Sequence, residues 1–253
     1  MIDEPFAAGT SLLHRRDARV KIMAACTLTL VVALTGSFLV ATTALIASCL
    51  FLRIARLQAG RVLRHLLAVN LFTVFLWLTL PLTYHGNSGG DTMITLGGID
   101  LSSAGIRLCA LITLKTNAII FTLLALLSTS TIAALGQGLA GLSVPPKLCF
   151  MLLSTYRYIF VIHQEYQRLL RAARMRGFVA ASNLHTYKTF SHLFAMTLVK
   201  SWNRARRVQQ AMALRGFTGQ LLSLGQRQLA GSDYLFLLAM LLFSTALAAL
   251  NLI

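Results

Sequence analysis

Two short stretches carry groups able to grip another protein: Ala172-Ala173-Arg174-Met175-Arg176-Gly177-Phe178 and Ala211-Met212-Ala213-Leu214-Arg215-Gly216-Phe217. Both read Ala-x-x-x-Arg-Gly-Phe, with equivalent positions 39 residues apart. On a helix the Ala and the Arg share a face, so a small side chain lets a partner approach beside a planar guanidinium. The glycine that follows is the residue best able to close a helix in the left-handed conformation. An Arg held at such an end suits a carboxylate on another chain. One Arg-Gly alone fits equally well a helix whose Arg meets only its own last carbonyls. Two copies matched at four positions within one basic segment favour docking. The docking residues are then Ala172, Arg176, Gly177 and Phe178 in the first copy, and Ala211, Arg215, Gly216 and Phe217 in the second.

Other chemistry is sparse. There is no G-x-x-x-x-G-K-[ST] loop for nucleotide phosphates and no H-E-x-x-H. Cys26, Cys49, Cys109 and Cys149 are scattered among apolar neighbours, and His185 and His192 stand seven apart. None of this is metal-chelating spacing. Of seven acidic residues only Glu165 lies inside the large basic segment, which leaves few groups for acid or base catalysis. The expectation is a non-enzyme with no catalytic residue, metal or cofactor of its own.

The elements that position these residues belong to a membrane protein. Of 253 residues 57% are hydrophobic and 12% charged, and the mean hydropathy is +0.72. Soluble domains carry about twice that charged fraction. A net charge of +16 invites a nucleic-acid reading, but the location of the charge decides otherwise. Four basic residues lie between Arg15 and Lys21, four between Arg53 and Arg64, and thirteen between Lys147 and Arg227. Clusters between apolar spans mark cytoplasmic loops against anionic headgroups, so the expected partner is the lipid bilayer and not nucleic acid. Met1 to Thr10 carries Asp3 and Glu4 with no basic stretch before an apolar core, so no cleaved signal peptide is expected.

In order, residues 1–21 form a polar, basic segment expected at the cytoplasmic surface, with His14 in a surface or packing role. Residues 22–127 hold four membrane segments. Ile22 to Leu52 is uncharged. As one helix it would measure about 46 Å against a hydrocarbon core of about 30 Å, so it reads as two short helices broken near Gly36-Ser37. Leu66 to Leu82 is the third segment, ending at Pro81. Tyr84 to Leu101 has no Lys or Arg and belongs outside, with Met93–Leu96 read as a short strand or a plain loop.

Ser103 to Leu127 is the fourth segment. Arg107 can snorkel, while Lys115 lies deeper, beside Thr116 and Asn117. Two readings stand: an ionisable group with a transport role, or a polar face against a partner subunit, which makes Lys115 and Asn117 interface candidates; under the resemblance given below that partner would be a substrate-binding subunit. Residues 128–232 form a helical, basic cytoplasmic domain, which the resemblance given below implies is a coupling domain. It has capping residues at Ser128–Thr131, a chain loosened at Gly136–Gly141, a helix from Lys147 to Arg176, a break at Asn183–Phe190 and a second helix to Arg215. Residues 233–253 are the last span, leaving the N-terminus cytoplasmic and the C-terminus outside. The fold class is all-α, polytopic, with about five membrane segments.

Three stretches carry a resemblance. They are Ser11-Leu12-Leu13-His14-Arg15-Arg16-Asp17-Ala18-Arg19-Val20-Lys21; Val144-Pro145-Pro146 with Tyr156-Arg157-Tyr158, Glu165 and the first Arg-Gly; and the Arg-rich run before Ala211-Met212 with the second Arg-Gly. Together they resemble the transmembrane T subunit of energy-coupling factor ABC transporters, in the cobalt and nickel group that includes CbiQ. Arg16 stands where that pattern has Leu, and Ala18 where it has Pro.

The resemblance implies that Arg176 and Arg215 dock in two cytoplasmic ATPase subunits, which bind the ATP. The two long helices would pass ATPase motion to a separate substrate-binding membrane subunit, with a small accessory membrane subunit as a further partner, for cobalt or nickel uptake. The rival reading is a self-sufficient secondary transporter or channel using Lys115. The lack of paired intramembrane charges weighs against it.

Overall fold

The computed structural model describes residues 9, 11, 13, 14, 16–57, 59–83, 93–96, 99–217, 219 and 231–252. Among them are helices α1 (Ala18–Leu34), α2 (Phe38–Ala55) and α3 (Ala59–Thr83), and strands β1 (Met93–Leu96) and β2 (Ile99–Ser102). Helices α4 (Ser103–Leu126), α5 (Ile132–Gly141), α6 (Pro146–Met175), α7 (Leu184–Leu214) and α8 (Gly231–Leu252) follow. Two compact units separate: one within Leu139–Gln226, the other within Glu4–Gly138 and Arg227–Ile253.

The second unit is the membrane unit. Phe38–Ala55, Gly60–Thr83, Ser103–Leu126 and Gly231–Asn251 are long and apolar enough to cross a bilayer, and α1, with 17 residues, is a shorter fifth helix. The break near Gly36-Ser37 is present, and the Ser37 hydroxyl caps α2 by accepting from Val40 N at 3.4 Å. Helix α4 packs against α1, α2 and α3, and α8 packs on α1. The core is lined by small residues, Ala24 and Ala25 of α1, Ala44 of α2, and Ala118 and Ala125 of α4, filled out by Leu28, Leu126 and Met240. Lipid chains give helices no hydrophobic reason to associate, so close backbone approach and dense packing must hold them. Outward from α3, Leu67, Leu71, Phe72 and Leu78 are exposed, a surface that hydrocarbon solvates.

Several expectations change. Pro81 lies inside α3, which runs on to Thr83; its missing N–H leaves Trp77 O without the usual intrahelical donor, one turn from the helix end. Gly136 and Gly138 sit inside α5 and are buried, so the glycines serve close packing instead of loosening the chain. Helix α7 already begins at Leu184, which confines the break to 177–183. Asn183 there is extended, at φ −119° and ψ 154°, and the Thr186 hydroxyl accepts from Ala181 N at 3.2 Å. In the opening segment, expected at the cytoplasmic face of the membrane, Ser11, Leu13, Asp17 and Lys21 are buried within the protein.

Met93–Leu96 is a strand, paired antiparallel with Ile99–Ser102, Met93 opposite Ser102. Met1 to Ala8, and the loop from Tyr84 to Thr92, lie outside the described residues.

Candidate functional site

The two repeated patterns close α6 and α7. Pro146 at the first turn of α6 gives up an N–H that has no partner there in any case. The helices run antiparallel, held by stacked Tyr166 and Phe194 rings at 5.4 Å. Lys200 Nζ donates to Glu165 Oε1 at 2.6 Å, and Arg168 stands 3.7 Å from the same carboxylate. The Lys200 hydrogen bond, helped by the charges of Lys200, Arg168 and Arg204, holds the Glu165 carboxyl below the ordinary glutamate value against the opposing effect of desolvation.

Both helix ends adopt one geometry. At the first, Gly177 takes φ +84°, Gly177 N donates to Arg174 O at 3.0 Å and Phe178 N to Ala173 O at 3.1 Å. At the second, Gly216 takes φ +70°, Gly216 N donates to Ala213 O at 3.0 Å and Phe217 N to Met212 O at 3.1 Å. These are paired Schellman closures, which satisfy the last carbonyls and need a residue comfortable at positive φ.

The closing aromatics turn back. Phe178 packs edge-on against Phe190 near the start of α7, at 5.6 Å between centroids. Phe217 packs on Phe150 near the start of α6, at 5.0 Å. Each helix end is thereby pinned to the beginning of the other helix, and the two ends lie at opposite ends of a pair about 45 Å long. Ala172, Arg176, Gly177, Ala211, Arg215 and Gly216 are exposed, while Phe178 and Phe217 are half-buried. Among the described residues no salt bridge engages Arg176 or Arg215.

Sequence reasoning missed the residues just before each Arg. Met175 is 88% exposed and Leu214 is 90% exposed, and they are equivalent positions in the repeat. An apolar side chain at both was the available signal. Each end therefore presents an exposed guanidinium, a residue type enriched among the anchors of protein interfaces, next in sequence to an exposed apolar side chain. Between α6 and α7 lies an open cleft of about 1140 Å³, lined by Phe150, Tyr158, Ile162, Leu198, Trp202 and Met212 among others.

The structure does not gather Lys115 and Asn117 into one face. Lys115 Nζ donates to Ala33 O in the last turn of α1 at 3.1 Å, where a cation suits the carbonyl end of a helix. Asn117 Nδ2 donates to Asn70 Oδ1 of α3 at 3.2 Å and to Thr113 O at 2.9 Å. Asn117 Oδ1 is buried without a partner among the described residues. Among those residues no group of three or more His, Cys, Asp or Glu could hold a metal.

Residues 9–224 match the family model CbiQ, described as cobalt transport protein. A cobalt transport protein CbiQ of Rhodobacter capsulatus is 29% identical over 153 residues, 60% of this chain, and the match spans only 62% of that relative's length. An energy-coupling factor transporter transmembrane protein EcfT of Listeria innocua is 26% identical over 232 residues, covering 87% of this chain and 85% of the relative. A fused cobalt transport protein CbiMQ of Methanocorpusculum labreanum is 27% identical over 157 residues, 56% of this chain and 26% of the relative.

Proposed function

The chain belongs to the CbiQ family of cobalt transport proteins, and on that premise we propose that it is the transmembrane coupling subunit of an energy-coupling factor importer for cobalt or nickel. Two cytoplasmic ATPase subunits bind and hydrolyse the ATP, and this chain contributes no catalytic group. Arg176 and Arg215, each with the neighbouring Ala172 or Ala211 and the Met175 or Leu214 knob, dock one ATPase apiece. Residues 128–232 pass the closing and opening of the ATPases to a substrate-binding membrane subunit, with a small accessory membrane subunit beside it. The apolar cleft between α6 and α7 offers a surface for that subunit. The N-terminus is cytoplasmic and the C-terminus outside, in keeping with the distribution of basic clusters.

The observation that carries this reading is the pair of matching helix ends, each with an exposed Arg, at opposite ends of one antiparallel helix pair. Two equivalent grips suit two equivalent motors. A self-sufficient transporter built on Lys115 finds less support, because that amine is already engaged by the Ala33 carbonyl. The test is the double variant Arg176→Glu, Arg215→Glu in the assembled transporter. Loss of ATPase co-purification and of cobalt uptake is expected; unchanged assembly and uptake would overturn the proposal.

A further inference from the structure

The buried opening segment leads to a second assignment. Lys21, in the first turns of α1, has no exposed surface at all. Its amine donates to Ser130 Oγ at 2.8 Å, Thr129 Oγ1 at 3.2 Å and Thr129 O at 3.4 Å. An ammonium stays charged in such a place only where oxygens replace its water. Thr129 and Ser130 join α4 to α5. Further along α5, Gly138 rests on the same turns of α1, so close that a Cβ there would stand 3.1 Å from Ala18 Cβ and 3.2 Å from Arg19 N. Directly after Gly138 the chain leaves for the unit of α6 and α7.

The return is held from the same segment. Asp233, at the start of α8, is 3% exposed and receives Arg16 Nη1 at 3.4 Å. The Arg16 guanidinium lies 5.8 Å from the centre of the Phe236 ring, also on α8. Between the two basic residues, Asp17 caps α1 by accepting from Arg19 N at 2.9 Å, which sets the direction of both. One short segment thus grips the chain just before it departs and just after it comes back. Lys21 belongs to the resembled pattern, while Arg16 stands where that pattern has Leu.

We propose that Lys21 and Arg16 form a clamp within the membrane unit that holds the α4–α5 junction at Thr129 and Ser130 and the start of α8 at Asp233, the points from which the chain leads to and from the α6–α7 unit, so that motion at the Arg176 and Arg215 ends is delivered to the membrane helices. This rests on the coupling-subunit reading above. Lys21 and Arg16 are positioning residues that touch neither ATP nor the transported ion.

The test uses the assembled transporter in liposomes and measures ATPase retention, ATP hydrolysis and cobalt uptake separately. Lys21→Met, and the milder Ser130→Ala, should retain the ATPases and hydrolyse ATP, while cobalt imported per ATP falls about tenfold in the first, within the range of an allosteric coupling loss. Arg16→Asp should uncouple likewise, and Arg16→Asp with Asp233→Arg should restore much of the ratio. An unchanged ratio in Lys21→Met, or a swap that recovers nothing while Ser130→Ala stays fully coupled, overturns the clamp. If the wild-type chain retains no ATPase, it is the coupling-subunit reading that fails.

Discussion

Replacing Gly177 and Gly216 by Ala tests whether the helix-end geometry itself makes the grip. No heavy atom lies within 4 Å of a Cβ built at either position, so the substitution causes no clash. The cost is confined to the backbone. At φ +84° and +70° a residue with a Cβ pays about 1–2 kcal/mol for the left-handed conformation. If the end opens to avoid it, the Phe178 N to Ala173 O or Phe217 N to Met212 O bond is lost, and the closing ring leaves Phe190 or Phe150. A penalty of that size lowers the closed-to-open equilibrium constant of each end by a factor of about 5–30. ATPase affinity at that site, which follows the closed fraction, should fall by up to the same factor, and the two sites should multiply because they share no contacts. Asn, which tolerates the left-handed cap, should keep most of the binding. The assay is titration of the ATPase subunits against the reconstituted single and double Ala and Asn variants. Wild-type affinity in the double Ala variant, or equal losses with Ala and Asn, would refute the reasoning.

Two further predictions concern the supports of these ends. The Glu165 carboxyl has a folded-state pKa below its unfolded value of about 4.3, so its link to Lys200 contributes fully above the unfolded value and fades as pH falls through the folded one. Hydrogen exchange in α6 and α7 should therefore be faster in Glu165→Gln than in wild type at neutral pH, with the gap closing in acid; a pH-independent gap would contradict the link. In the membrane unit, a Cβ on Gly105 would meet Pro81 Cα at 2.9 Å and Leu80 O at 3.0 Å, both backbone atoms unable to turn aside. Gly105→Ala should cost about 1–3 kcal/mol and lower the melting temperature in detergent, whereas Gly36→Ala, with nothing within 4 Å of its Cβ, should melt like wild type.

What the residues alone determined is whatever depends on neighbours in the chain. The apolar spans, the break at Gly36-Ser37 and the helix closures at Gly177 and Gly216 follow from hydrocarbon thickness, capping and the freedom of glycine at positive φ, all of which act over a few positions. The repeat located the exposed Arg176 and Arg215 for the same reason. Tertiary structure decided the rest. It sent Phe178 and Phe217 inward onto Phe190 and Phe150, left Met175 and Leu214 bare, and turned Lys115 to α1 while Asn117 met α3. It also buried Lys21 on a loop 108 positions away and paired Arg16 with an acid 217 positions on. Whether a polar side chain faces solvent or a distant oxygen depends on which helices pack together, and no local periodicity encodes that choice.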